Sequence, residues 1–316
     1  MKTKEKKDIS VVIPVFNSEK SLHELTTRLE VTLTKMEVTF ELIFIDDFSF
    51  DRSWEVLKNI QKKYSYVTVI KLSKNFGQHN ATICGMKEAN GNTIITLDDD
   101  LEHSPEYISD LYVHLKNENL DVLYAVPKKK KKGVIRSLLG YFWYKGSKVI
   151  GKGVGKASSF RILKSEIANC LTQHQEPFVF IESLVFWYTK NVGYKEIEFE
   201  RRQHGESNYT MLKLFDLNHD IGMHYDTQVL KFMRTFGVIV FLGSIILIIY
   251  YSLKKIYGNP MPGYTSIIIT LLFSTGSVLW GMGYLGSYIG KMFRILNKEP
   301  QYQISERVSH KKSLYS

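Results

Sequence analysis

A mainly parallel α/β sheet domain followed by a two-helix transmembrane hairpin is the architecture this sequence predicts. Three observations predict it. Short, β-branched apolar runs alternate with stretches of helical period over residues 10–117, the pattern of a doubly wound sheet. Polar clusters fall at the carboxyl end of each run, where such sheets bind ligands. Two apolar segments, 232–253 and 264–289, each have at least the ~20 residues needed to cross a bilayer as a helix.

The elements follow in order. Ser10–Pro14 (S-V-V-I-P) reads as a buried strand, and an amphipathic helix runs from Ser18 or Ser21 to about Met36. Phe40–Ile45 is a second buried strand that ends at Asp46-Asp47, and Ser53–Tyr64 is helical. Val67–Leu72 is a third strand, followed by S-K-N-F-G-Q-H-N and a helix over Ala81–Glu88. The fourth strand opens after Gly91-Asn92 and carries T-I-I-T-L-D-D-D-L-E at 93–102, before a helix over Ser104–Asn117. Pro14–Asn17, Asp46-Asp47, Ser73–Asn75 and Asp98–Asp100 therefore converge on one edge of the sheet.

The aspartate triplet is the most informative of these. Three carboxylates at the end of a buried strand are costly unless something cationic neutralises them. Asp98 and Asp100 project to the same side of an extended chain. Two hard oxygen ligands at that spacing suit Mg²⁺ or Mn²⁺, and either ion suits a diphosphate. The structural alternative is an acidic loop that caps the next helix, with Asp100 or Ser104 as N-cap before Pro105. His79, His103 and His204 read as supporting or surface residues, because no two of them have ligand spacing. Trp143, Trp187 and Trp280 read as membrane-interface or core residues.

The chain has 316 residues, 44% of them hydrophobic, and a net charge of +10. That balance points to an anionic partner: nucleic acid, a lipid surface or a phosphorylated substrate. A nucleic-acid enzyme would explain the charge but not the two apolar spans. Cys84 and Cys170 have neither metal spacing nor a disulfide framework, which fits a reduced, cytosol-facing compartment. The charged start M-K-T-K-E-K-K-D has no signal-peptide pattern. The expected division is a cytoplasmic domain over 1–228, two membrane helices within 229–290, and a basic cytoplasmic tail over 291–316. Lys231 and Arg234 before the first span, and Lys291, Arg294 and Lys298 after the second, favour cytoplasmic ends; Lys254 and Lys255 in the linker oppose this. Residues 127–150 place five lysines before Arg136, Leu138, Leu139, Phe142 and Trp143, as an interfacial helix on anionic lipid would. Gly276, Gly281, Gly283 and Gly286 permit helix packing between protomers, a route to a homo-oligomer.

Several motifs, in order and at their spacing, resemble one family. They are V-V-I-P-V-F-N at 11–17, F-I-D-D-F-S-F-D at 44–51, L-S-K-N-F-G-Q-H-N-A at 72–81, L-D-D-D-L-E-H-S-P-E at 97–106, F-R-I-L at 160–163, R-Q-H-G-E-S-N-Y at 202–209 and Y-L-G-S-Y-I-G-K-M-F at 284–293. Together they resemble the family 2 glycosyltransferases of GT-A (Rossmann-like) fold. More narrowly, they are similar to the polyprenyl-phosphate glycosyltransferases, such as dolichol-phosphate mannose synthase and the bacterial enzymes that load sugars onto undecaprenyl phosphate.

The resemblance implies an inverting, metal-dependent transfer from a nucleotide sugar to a polyprenyl phosphate at the inner membrane. Pro14, Phe16, Asn17, Asp46, Asp47 and Asp99 would bind the nucleotide. Asp98 and Asp100 would hold the Mg²⁺ or Mn²⁺, with Glu102 where the family usually has Gln. Arg202 and Ser207 would sit on a loop closing near phosphates. Arg136 and Lys132 would meet the lipid phosphate, with Arg161 and Ser207 supporting that region. The chain departs from the family at Phe48 and Phe50, where small residues are common, at Ser18 in place of an acidic residue, and at Gly155–Ser159, which lacks an Asp. Two rival readings are a processive polysaccharide synthase and a membrane-anchored, non-catalytic nucleotide- or lipid-binding accessory protein. The first would carry Q-x-x-R-W and more spans, and the sequence has neither.

Overall fold

The computed structural model describes residues 6–128, residues 158–199 apart from 175 and 178, the single positions 236, 239, 246, 249 and 253, and residues 263–309. The chain divides into two compact units, residues 1–210 with 299–316 and residues 211–298.

Among the described residues, the first unit is built on an eight-stranded sheet. Its strands are β1 (Lys7–Val15), β2 (Phe40–Asp46), β3 (Val67–Leu72), β4 (Gly91–Thr96), β5 (Val122–Pro127), β6 (Arg161–Lys164), β7 (Val192–Ile197) and β8 (Ile304–Ser309). The spatial order is β7-β5-β6-β4-β1-β2-β3-β8. The pairings β1–β2, β1–β4, β2–β3 and β5–β7 are parallel, while β6 and β8 run antiparallel to their neighbours. The sheet is thus mainly parallel, as expected, with β6 reversed in its interior and β8 reversed at one edge.

Helices α1 (Leu22–Lys35), α2 (Ser53–Lys63) and α4 (Tyr107–Asn117) cover one face, and α3 (Gln78–Glu88) covers the other. The period-2 alternation of the strands sorts the core between them. Leu42 and Phe44 of β2 pack with Leu25, Leu29, Leu57 and Ile108. Ile43 and Ile45, one residue out of phase, pack with Ala81 and Cys84 of α3. Gly85 lets α3 close on β1: a Cβ there would stand 2.3 Å from Val12 Cγ1. Helices α5 (Ser165–Thr172) and α6 (Ile181–Tyr188) follow β6.

Strand β8 lies within the segment expected as a basic tail over 291–316. It pairs with β3 from Ile304↔Leu72 to Ser309↔Thr68, and Arg307 adds a 2.7 Å ion pair to Glu88. The signal for it is weak because I-S-E-R-V-S alternates but offers little apolar surface. Its burial is partial, as befits an edge strand. Deleting residues 301–316 would leave the β3 edge unpaired. The expected result is loss of hydrogen-exchange protection at the amides of β3, with those of β1 and β4 little changed, and a higher tendency to self-associate.

In the second unit, α7 (Tyr264–Leu296) is a 33-residue helix, about 50 Å long at 1.5 Å per residue. Among its described side chains Ile267, Leu271, Phe273, Val278, Met282 and Ile289 are each at least 60% exposed. Positions 236, 239, 246, 249 and 253 are helical as well. Among the described residues no helix is long and apolar enough to cross a membrane.

Candidate active site

The polar loops at the carboxyl edge of β1, β2, β3 and β4 are stitched together by hydrogen bonds. The Asp47 amide donates to Val15 O at 2.9 Å. The Asp47 carboxylate in turn accepts from the amides of Phe76 (2.7 Å) and Gly77 (2.8 Å), which lead into α3. The Phe16 amide donates to Asp99 Oδ2 at 3.0 Å, and Ser21 Oγ donates to Asp99 O at 2.5 Å. The β1 loop is latched to the β2 loop by Asn17 N–H to Ser49 Oγ (3.0 Å) and Phe50 N–H to Asn17 Oδ1 (2.8 Å). Glu19 and Asp51 strengthen the latch, each accepting a backbone N–H from the opposite loop.

Three residues with side chains hold left-handed backbone in these loops: Asn17 (φ 55°), Phe48 (φ 62°) and Leu101 (φ 61°). Such geometry costs ~1 kcal/mol or more for a bulky residue and gathers at functional sites. It also accounts for the small residue that the resembled family favours after the aspartate pair. Phe48 takes that conformation with its ring edge-on to Phe50, centroids 5.7 Å apart, while Phe50 is edge-on to Phe16 at 6.1 Å. These three rings form an aromatic surface over the β1–β2 crevice.

Asp46 is fully buried, with Lys71 Nζ 4.0 Å away and its Oδ2 without a hydrogen-bond partner. Burial pushes the carboxyls of Asp46 and Asp47 above the ordinary range. Pro14 is buried in β1, opposite Ile45.

β4 closes at Thr96, so the triplet lies in a turn beyond the strand. The alternation argument for Asp98 and Asp100 therefore does not hold, and each aspartate takes its direction from its own partners. Asp98 accepts from Gln78 Nε2 (2.5 Å) and Ser159 Oγ (2.6 Å), with His103 Nδ1 at 3.8 Å. Asp99 faces Phe16, as above. Asp100 Oδ1 accepts the Glu102 amide at 3.0 Å. Helix α4 takes Glu106 as its N-cap residue, so neither Asp100 nor Ser104 caps it. Burial is the largest cause that raises the Asp98 carboxyl, opposed by His103 and Ser159. Burial also pushes Asp99 up to about 7, with Asp98 and Asp100 adding to the rise.

A cluster of three crowded carboxylates, in which burial raises Asp98 and Asp99, is chemically suited to a divalent cation. Among the described residues no three His, Cys, Asp or Glu side chains group as a metal site. An ion on Asp98 and Asp100 would thus draw its other ligands from outside that set, as Mg²⁺ does from phosphate oxygens and water.

Behind the triplet lies a buried charged cluster. Arg161 opens β6 and is 2% exposed; its Nη2 stands 3.1 Å from Glu182 Oε1 and its Nε donates to Thr96 Oγ1 at 3.0 Å. Glu182, in the first turn of α6, directs Oε2 toward His79 Nδ1 at 3.7 Å. Burial would raise the Glu182 carboxyl, but Arg161 and His79 outweigh it and hold it below the ordinary range. Burial lowers His79, so the imidazole is neutral at pH 7.

Of the residues singled out in the sequence, Phe16, Asn17, Asp46, Asp47, Asp98, Asp99, Asp100 and Glu102 lie in these adjoining loops, and Pro14 in the strand that feeds them. Arg161 is enclosed beneath them with its charge paired to Glu182. Lys132, Arg136, Arg202 and Ser207 lie outside the described residues, as does His204. Gln78, Ser159 and Glu182 were missed. Glu182 had a signal: it is the one charge in the apolar run F-V-F-I-E-S-L-V-F-W at 178–187, and a charge there calls for a buried partner.

Residues 10–163 match the sequence profile of Glycosyl transferase family 2. An uncharacterised glycosyltransferase of Synechocystis sp. is 30% identical over 315 residues, covering 95% of both chains. The chain belongs to glycosyltransferase family 2. The undecaprenyl-phosphate 4-deoxy-4-formamido-L-arabinose transferase of Proteus mirabilis is similarly close to this glycosyltransferase, 31% identical over 319 residues, which are 96% of this chain and 95% of that one. The corresponding transferase of Edwardsiella ictaluri is 30% identical over 95% of this chain and 94% of that relative.

Proposed function

We propose that this glycosyltransferase is a membrane-anchored, inverting enzyme that moves a sugar from a nucleotide-sugar donor to a polyprenyl phosphate, with its sheet domain in the cytosol. The observation that carries the reading is the end-to-end likeness to undecaprenyl-phosphate sugar transferases, which extends through residues 211–298 as well as the sheet domain. The exposed apolar side chains of α7 support a bilayer as the environment of the second unit. The two spans are assigned to 232–253 and 264–289. Strand β8 belongs to the same sheet as β1–β7, so whatever crosses the bilayer between them must cross an even number of times. A hairpin meets that condition with both ends cytosolic.

The chemistry follows from the acceptor. A phosphate monoester loses its second proton near pH ~6 and is already a nucleophile at neutral pH. Its oxygen forms a bond to the anomeric carbon, while the bond from that carbon to the diphosphate breaks with its electron pair on the leaving group. No general base is required, so alignment and charge neutralisation are what the protein supplies. The proposed nucleotide contacts are Asp46, Asp47 and the Phe16 surface. Asp98 and Asp100 would hold a Mg²⁺ or Mn²⁺, whose charge would stabilise the departing diphosphate. Arg202 and Ser207 are proposed near the donor phosphates, and Lys132 and Arg136 at the lipid phosphate. Arg161 is proposed to position the end of β4 through Thr96, its charge being committed to Glu182.

The test is sugar transfer by the detergent-purified full chain to undecaprenyl phosphate, with a panel of UDP, GDP and dTDP sugars. The expected result is one glycolipid product that disappears with EDTA and returns with Mg²⁺ or Mn²⁺. No product from any donor, with lipid binding intact, would favour the accessory-protein reading.

A further inference from the structure

The first turn of α3 lies between the two halves of the site. The amides of Phe76 and Gly77, just ahead of it, bind Asp47 on the nucleotide side, and Gln78 binds Asp98 on the metal side. The next residue, His79, is 28% exposed at its side chain and so is open to a ligand on one side. Its Nδ1 faces inward to Glu182 Oε2, an oxygen that is buried and has no hydrogen-bond partner. Arg161 holds the other Glu182 oxygen at 3.1 Å, which keeps the carboxylate ionised and fixes its direction. The ring of Phe180 meets the imidazole edge-on, centroids 4.9 Å apart.

We propose that His79 reads a hydroxyl of the donor's sugar, with Arg161 and Glu182 as positioning residues; the proposal rests on the glycosyl-transfer reading above. The tautomer follows from the partner. An ionised carboxylate can only accept, so the imidazole proton belongs on Nδ1 and the lone pair on Nε2. A neutral imidazole with a bare acceptor at the site repels phosphate oxygens and accepts from an O–H or N–H. The matching part of a nucleotide sugar is therefore the neutral ring, and Asp98 next door is where its diphosphate end would lie. The 3.7 Å gap between Nδ1 and Oε2 is of the kind that tightens when a ligand engages the far nitrogen. Glu182 also accounts for its own burial in this scheme, since its unpartnered oxygen is the one that orients His79.

The experiment compares bare nucleotides with their sugar conjugates on the detergent-purified full chain with Mn²⁺, by calorimetry. The probes are UDP, GDP and dTDP and their hexose conjugates. In His79→Ala the conjugate that binds wild type should weaken about tenfold, with the bare nucleotide unchanged. Equal weakening of both ligands would mark a structural role and overturn the proposal, as would no weakening of either. His79→Gln, which restores an acceptor, should recover part of the loss; a loss as large as that of His79→Ala would count against the proposal. Conjugate binding that depends on His79 without transfer to polyprenyl phosphate would leave this inference standing and overturn the acceptor assignment. Transfer that is indifferent to His79 would do the reverse.

Discussion

Asp98→Asn is expected to lower kcat/KM for sugar transfer on the order of a thousandfold, the scale of losing one preorganised electrostatic contact to the reacting group. The substitution keeps the shape of the side chain and removes its charge. It also removes an acceptor. Asp98 receives Gln78 Nε2 on one oxygen and Ser159 Oγ on the other. An asparagine can accept on one side only, so its amide must confront one of these partners or turn it. A cation recruited to the triplet would then have Asp100 as its remaining carboxylate among the pair proposed to hold it, and its affinity should fall with turnover.

The same substitution should not destabilise the fold. Burial penalises the Asp98 charge and raises its carboxyl. A group whose folded pKa is raised subtracts stability wherever it is ionised, so a neutral amide removes that penalty at neutral pH. Thermal unfolding in EDTA should give a midpoint for Asp98→Asn close to wild type, the relieved charge offsetting the lost acceptor. Lost activity together with unimpaired stability would separate a functional carboxylate from a structural one. A variant that keeps activity, or that loses activity by unfolding, would remove Asp98 from the assigned role.

The parallel half of the fold was legible because its signals are local. β1 to β4 are buried on both faces, so each reads as a continuous apolar run, and each run stops at a polar cluster. The observed β3 (Val67–Leu72) matches the reading residue for residue, and β1 and β2 differ by a few residues at most. The reading placed Asp46, Asp47 and Asp98 on one edge from topology alone, because parallel strands deliver their carboxyl ends together. What it missed depends on tertiary context. Strand β8 is half-exposed and gains its identity only from the free edge of β3. Strand β6 has four residues, too short for a period to register. Strand alternation could not fix the directions of Asp98 and Asp100, because β4 ends at Thr96, ahead of both. Gln78 and Ser159 carry no signature of their own; they matter because α3 and β6 bring them to Asp98.

Arg161→Met is the second change with a large expected effect, and it acts on stability. It leaves the Glu182 carboxylate buried without its counter-charge, a loss that typically costs about 3–5 kcal/mol. Pairing it with Glu182→Leu should recover most of that loss, because a hydrophobic pair of similar volume replaces a buried ion pair at little net cost. Acidity provides an independent check. In the wild type, Arg161 and His79 overcome the burial that would raise Glu182, and its folded pKa lies below the ordinary 4.5. The contribution of the pair is therefore fully present above pH 4.5 and fades as pH falls through the lowered folded value. In Arg161→Met burial prevails, and Glu182 takes up a proton at a higher pH than in the unfolded chain. Its penalty is then present at neutral pH and relieved on acidification. The gap in unfolding midpoint between wild type and variant should be widest near pH 7 and should narrow toward pH 4. A gap independent of pH would mean that the variant fails through packing around the lost side chain, and that the charge on Glu182 has no part in holding β4, β6 and α6 together.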